Sequence, residues 1–192
     1  MVLVSGSGTN LQALLDAEKK GAFRGKIALV VSDRAGAYAL ERAKNAGIAA
    51  VTVEADSAFP KEARRQELSH RILRLAEAHN IGLIVMAGFL SILTGAIIQK
   101  YTGRIINLHP ALLPKFGGKG MHGMKVHQAV LNAGEAESGC TVHLADNGID
   151  TGQIVLQRRV QILQGDNAES LAQRIHREEH IAIVEAVKIM CR

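Results

Sequence analysis

Tryptophan is absent from these 192 residues, and aromatic residues make up only 3% of them. Single-stranded nucleic acids are held largely by stacking bases on aromatic rings, so stacking platforms are scarce and no nucleic-acid partner is expected. A formal net charge of +5 favours anions. The basic residues are scattered, however, with Lys19-Lys20, Arg64-Arg65 and Arg158-Arg159 the only adjacent pairs. A small phosphorylated or carboxylated ligand, or plain solvated surface charge, accounts for that balance. Cysteine is equally scarce: Cys140 and Cys191 form neither a metal-ligand nor a redox spacing, which fits a reducing cytoplasm. No apolar run is long enough to span a bilayer, and the opening residues are no signal peptide. With no repeat and no low-complexity linker, one domain over residues 1–192 is expected, large enough for a substantial core.

What is present is an alternation of short apolar runs and helical periodicity. Strands are expected at residues 2–5, 27–32, 48–53, 83–87 and 105–109, later at 140–145 and 154–156. Helices are expected near 11–17, 37–46, 61–79, 94–101, 125–133 and 167–190. The βαβα order with continuous apolar strands predicts an α/β fold, a single doubly wound, mostly parallel sheet with helices on both faces. Ligands bind such sheets outside the carboxyl ends of the strands.

At one such end stands Ile105-Ile106-Asn107-Leu108-His109-Pro110. Pro110 cannot donate to a ladder, so the strand should stop there, with Asn107 and His109 on one face. An amide donor beside an imidazole can stabilise an oxyanion and move a proton. Downstream, residues 140–145 alternate so as to place Thr141 and His143 on one face, behind the reacting groups. Asp150, between Ile149 and Thr151-Gly152, has two readings: a desolvated carboxylate orienting an imidazole, or a turn carboxylate bonding its own backbone.

The first strand runs into Gly6-Ser7-Gly8-Thr9-Asn10 and then a helix. It is neither a P-loop nor the dinucleotide fingerprint. Its free N–H groups at a helix start suit a phosphate; alternatively it is a tight turn with Thr9 as the helix N-cap. Four glycines within residues 117–123 predict a loop that moves or folds unusually beside His109. In the last helix, residues 176–180 read as a solvated face. His176 and His180 do not form His-Glu-x-x-His, and no metal is expected.

Taken together, the segments at residues 5–12, 87–90, 107–114, 142–143 and 148–152 resemble phosphoribosylglycinamide formyltransferases, over nearly the whole chain. The resemblance implies a Rossmann-like formyltransferase fold and transfer of a formyl group from 10-formyltetrahydrofolate, as co-substrate, to the amine of glycinamide ribonucleotide in purine synthesis. It places the catalytic trio on Asn107, His109 and Asp150. The phosphate loop falls on Gly6, Ser7, Gly8, Thr9 and Asn10, with Glu179 as a further ribonucleotide contact. Folate contacts fall on Leu90, Ser91, Ile92, Leu93 and Asn107, with Lys61 in place of a folate-side arginine. On this reading Asn107 and a protonated His109 stabilise the oxyanion, and Asp150 holds His109 charged.

Ser91 stands where some relatives carry a basic residue, and Gln153 where proline is common. The expected assembly is a monomer or homodimer in the cytoplasm, with no membrane partner. Three rivals share parts of the pattern. A formyltetrahydrofolate hydrolase is expected to carry an extra N-terminal domain, and a methionyl-tRNA formyltransferase a tRNA-binding one. A non-catalytic phosphate-binding module would leave His109 and Asp150 idle.

Overall fold

The computed structural model describes residues 1–56 and 58–191. The chain runs β1 (Val2–Val4), α1 (Thr9–Lys19), β2 (Val30–Ser32), α2 (Tyr38–Asn45), β3 (Ala50–Thr52), α3 (Lys61–Ala78) and β4 (Ile84–Met86). It continues through α4 (Ala96–Lys100), β5 (Ile105–His109), α5 (Met124–Asn132), β6 (Glu137–Leu144), β7 (Ile154–Gln161) and α6 (Ala168–Met190). The seven strands form one sheet in the order β3-β2-β1-β4-β5-β6-β7. The first five are mutually parallel, and β6 and β7 add as antiparallel neighbours. The expected α/β class and mostly parallel sheet are what is found.

Period-2 alternation divides the core into two layers. Val2, Val4, Val30, Val85, Ile106 and Leu108 pack with residues of α1, α2, α5 and α6. Met1, Leu3, Leu29, Val31, Ile84, Met86 and Ile105 pack on the other face with α3 and α4. β1 and β4 are apolar on every residue because both faces are covered.

Several bounds differ from the sequence pattern. The run at 27–32 pairs only from Val30, and that at 48–53 only over Ala50–Thr52. The helix expected from 94 begins at Ala96, because Gly95 enters it at φ +71. The last strand runs on to Gln161, much further than its apolar run. Its polar second half pairs with Glu137, Ser138 and Gly139, and Arg159 also meets Glu137. Thr9 is not an N-cap: Gly8 holds that position, left-handed at φ 72 and ψ 31, with no side-chain cap. No described helix is long and apolar enough to cross a membrane.

Candidate active site

The start of α3, the loop after β4, the end of β5, the glycine-rich loop before α5 and the β6–β7 loop surround a cleft of about 880 Å³. Asn107, His109, His143 and Asp150 line it together, although the last comes from a distant part of the chain.

Asn107 and His109 leave one face of β5, and the antiparallel register sets His143 opposite Asn107 and Thr141 opposite His109. Cross-strand neighbours on one face touch. Asn107 Nδ2 lies 3.1 Å from His143 Nε2, and His143 Nδ1 lies 2.9 Å from the Leu144 carbonyl. A carbonyl only accepts, so the ring carries a proton on Nδ1 and donates it there. Thr141 does not line the cleft. Its hydroxyl donates to the Ala111 carbonyl at 2.6 Å and accepts from Leu113 N–H at 3.0 Å, fixing the turn that follows His109.

Asp150 reaches this face with a left-handed backbone, φ 59. Its Oδ2 accepts from Gly118 N–H at 2.9 Å and stands 3.5 Å from His109 Nδ1. Its Oδ1 lies 3.4 Å from Asn107 Nδ2 and 3.5 Å from His143 Nε2. The Asx turn in this loop belongs instead to Asp146, whose Oδ1 accepts from Gly148 N–H at 2.9 Å and from the Thr151 hydroxyl at 2.7 Å. Of the two readings of Asp150, the carboxylate facing imidazoles is the one the structure adopts.

His109 is only 4% exposed, and its Nε2 donates to the Phe116 carbonyl at 2.8 Å. Burial lowers its pKa below the ordinary imidazole value; the Asp150 carboxylate, the next influence, raises it without compensating. His109 is therefore neutral at pH 7 in the free protein. Desolvation outweighs the carboxylate at 3.5 Å, so the free protein does not favour the charged His109 that the resemblance implies. Burial pushes the Asp150 pKa up, but the neighbouring His143 side chain, the Gly118 N–H and the nearby His109 together outweigh burial and leave it below the usual carboxylate value.

In the first loop, only Asn10 lines the cleft; Gly6, Ser7, Gly8 and Thr9 stand outside its wall, with Gly6 and Ser7 exposed. The loop is tied to α6. Thr9 Oγ1 is 2.7 Å from His176 Nε2, His176 Nδ1 donates to Glu179 Oε2 at 2.7 Å, and Asn10 Nδ2 donates to the same oxygen at 3.4 Å. Residues 176–180 are thus no solvated face: Glu179 is buried in the cleft wall and Arg177 alone is exposed. The bond to Glu179 raises the His176 pKa. Among the described residues no cluster of His, Cys, Asp or Glu is placed to hold a metal ion.

Leu90, Ser91, Ile92 and Leu93 all line the cleft, as does Lys61 at the start of α3. Ser5 Oγ accepts from Leu90 N–H at 2.8 Å, and the Ser91 hydroxyl donates to Asp33 Oδ2 at 2.7 Å. Several lining groups were not foreseen. Arg64 and Arg65 follow Lys61 on α3, and His127 is buried in the wall from α5. The helical spacing of Val126 and Val130 marks the buried face of α5 to which His127 belongs. Phe116 and Gly118 bond His109 and Asp150 through backbone atoms; the glycine run at 117–123 marks their loop but not these bonds.

The formyl transferase family model matches residues 1–187. The chain is similar to phosphoribosylglycinamide formyltransferase of Escherichia coli, 38% identical over 94% of this chain and 81% of that protein. It is also 40% identical to the trifunctional purine biosynthetic protein adenosine-3 of Drosophila melanogaster, over 98% of this chain. It spans only 14% of that relative's length. Among solved structures, glycinamide ribonucleotide transformylase 1 from Geobacillus kaustophilus superposes with a TM-score of 0.89 at 36% identity, covering 100% of this chain and 97% of that one.

Proposed function

This chain belongs to the formyl transferase family, and on that premise we propose that residues 1–192, as one domain, transfer the formyl group of 10-formyltetrahydrofolate to the amine of N1-(5-phosphoribosyl)glycinamide, a step of purine biosynthesis. The names of the relatives support the substrates. The observation that carries the chemistry is the meeting of Asn107, His109 and Asp150 in one cleft between a glycine-rich loop and an apolar wall. Reduced folate takes the wall of Leu90, Ser91, Ile92 and Leu93 with Asn107 and Lys61. The ribonucleotide takes the loop at Gly6–Asn10 with Glu179. The protein acts in the cytoplasm, as a monomer or homodimer.

Attack of the amine on the formyl carbon forms a C–N bond and leaves an alkoxide and a surplus proton on the amine nitrogen. Collapse breaks the bond to folate N10, which takes up a proton, so the proton count closes. The alkoxide needs donors, and the Asn107 amide and His109 stand where both reactants meet. Neutral His109, with its Nε2 proton on the Phe116 carbonyl, has a lone pair on Nδ1 facing Asp150. A proton leaving the amine can lodge there, stabilised by the carboxylate, and the imidazolium so formed sets a positive charge beside the alkoxide. The positive charge is then made during the reaction. His143 and Thr141 hold Asn107 and the post-β5 turn in place.

The test is tetrahydrofolate release from 10-formyltetrahydrofolate with and without the ribonucleotide. Release only with it is expected. Release without it would make the chain a hydrolase, and ribonucleotide binding with no release would make it a binding module.

A further inference from the structure

The loop read as the phosphate site is shaped by α2, a helix with no residue in the cleft wall. Three of the loop's carbonyls are taken up by protein donors. Gly6 C=O accepts from Ala39 N–H at 3.1 Å, Ser7 C=O from Arg42 Nε at 2.8 Å, and Gly8 C=O from Gln12 N–H at 2.9 Å. In a planar trans peptide the N–H points opposite to the carbonyl before it. The N–H groups of Ser7, Gly8 and Thr9 therefore point away from these partners, a run of three consecutive donors of the kind that can wrap an anion. Two of these carbonyls have backbone partners. The Ser7 carbonyl depends on a side chain.

Arg42 is itself held on two sides. Its Nη1 donates to Gln12 Oε1 at 3.0 Å, and its guanidinium carbon lies 5.0 Å over the Tyr38 ring. Gly8 lets α2 come this close, since a Cβ there would stand 2.6 Å from the Ala39 Cβ. We infer that Arg42 is a positioning residue for the phosphoryl group of the acceptor substrate: by bonding the Ser7 carbonyl it fixes the Ser7–Gly8 peptide with the Gly8 N–H toward the anion. This rests on the phosphate-loop reading above. Lysine keeps the charge but lacks the planar fork that reaches Ser7 and Gln12 together.

The experiment compares wild type, Arg42→Met and Arg42→Lys on the ribonucleotide acceptor and on its dephosphorylated riboside. Arg42→Met should raise KM for the ribonucleotide by about tenfold or more, since a charge-assisted bond orients the site. It should leave kcat and the folate KM within about twofold, the signature of a lost binding interaction. Its kcat/KM on the riboside should match wild type, and Arg42→Lys should fall between. In ¹⁵N-labelled wild type, inorganic phosphate should shift the Gly8 N–H resonance, and in Arg42→Met it should not. Equal losses on both acceptors, or an unchanged ribonucleotide KM, would overturn the inference while leaving the phosphate loop standing. No preference of wild type for the phosphorylated acceptor, with an unmoved Gly8 resonance, would overturn both. Should Arg42→Met fail to fold, Arg42→Lys carries the same comparison.

Discussion

His109 Nδ1 and Asp150 Oδ2 face each other across 3.5 Å, an imidazole lone pair opposite a carboxylate. Burial keeps the imidazole neutral and its neighbours keep the carboxylate ionised. The pair is arranged to accept a proton rather than to store one.

The sign of the pH dependence follows. Catalysis needs neutral His109 and ionised Asp150 in the free enzyme, so kcat/KM should rise with pH along an acid limb below pH ~6.5. In Asp150→Asn the largest of the influences that raise the His109 pKa is gone. The limb should move to still lower pH, and kcat should fall on the order of a hundredfold or more. A limb that moves upward would mean His109 works as a resident acid.

Removal of one preorganised donor is the test for Asn107. Asn107→Ala should lower kcat by on the order of a hundredfold with a modest change in either KM. It also removes the 3.1 Å partner of His143. His143→Leu should therefore reproduce part of the loss, and the double variant should cost less than the product of the two. Strict multiplicativity in steady-state rates would show that the two residues act independently.

Glycines in the first loop separate folding from binding. At Gly8 a side chain meets Ala39 and the backbone is left-handed, so Gly8→Val should lower the melting temperature by on the order of 5–10 °C. A Cβ at Gly6 meets nothing within 4 Å. Gly6→Ala should keep the wild-type melting curve and raise KM for the ribonucleotide. A normal KM in that variant would take Gly6 out of the phosphate site.

His127 links the cleft to stability. It is 6% exposed, its Nδ1 has no partner among the described residues, and burial lowers its pKa, with Glu179 opposing and His109 adding to the effect. A histidine with a depressed folded pKa binds fewer protons folded than unfolded as pH falls through its ordinary ~6.5, so stability is lost in that window. Thermal melts at pH 7 and pH 5 should show a smaller drop for His127→Leu than for wild type. An equal drop would assign the acid sensitivity to other groups.

Local chemistry along the chain sufficed for much of this protein. Alternating short apolar runs and helical periodicity specify a covered parallel sheet, because strands buried on both faces need apolar residues throughout. Spacing alone puts Asn107 with His109, and Thr141 with His143, since side chains two apart on a strand share a face. Tertiary structure decided what spacing does not encode. Two acidic residues in one loop look alike in sequence, yet Asp146 closes the Asx turn while Asp150, turned by a positive φ, meets two imidazoles. The charge of His109 depends on how much protein surrounds it, and burial belongs to the packed fold alone. Phe116 and Gly118 act through backbone atoms, which every residue possesses, so no side-chain pattern announces them. Glu179 and Arg42 shape the first loop from distant helices. Only packing α6 and α2 beside α1 brings them there.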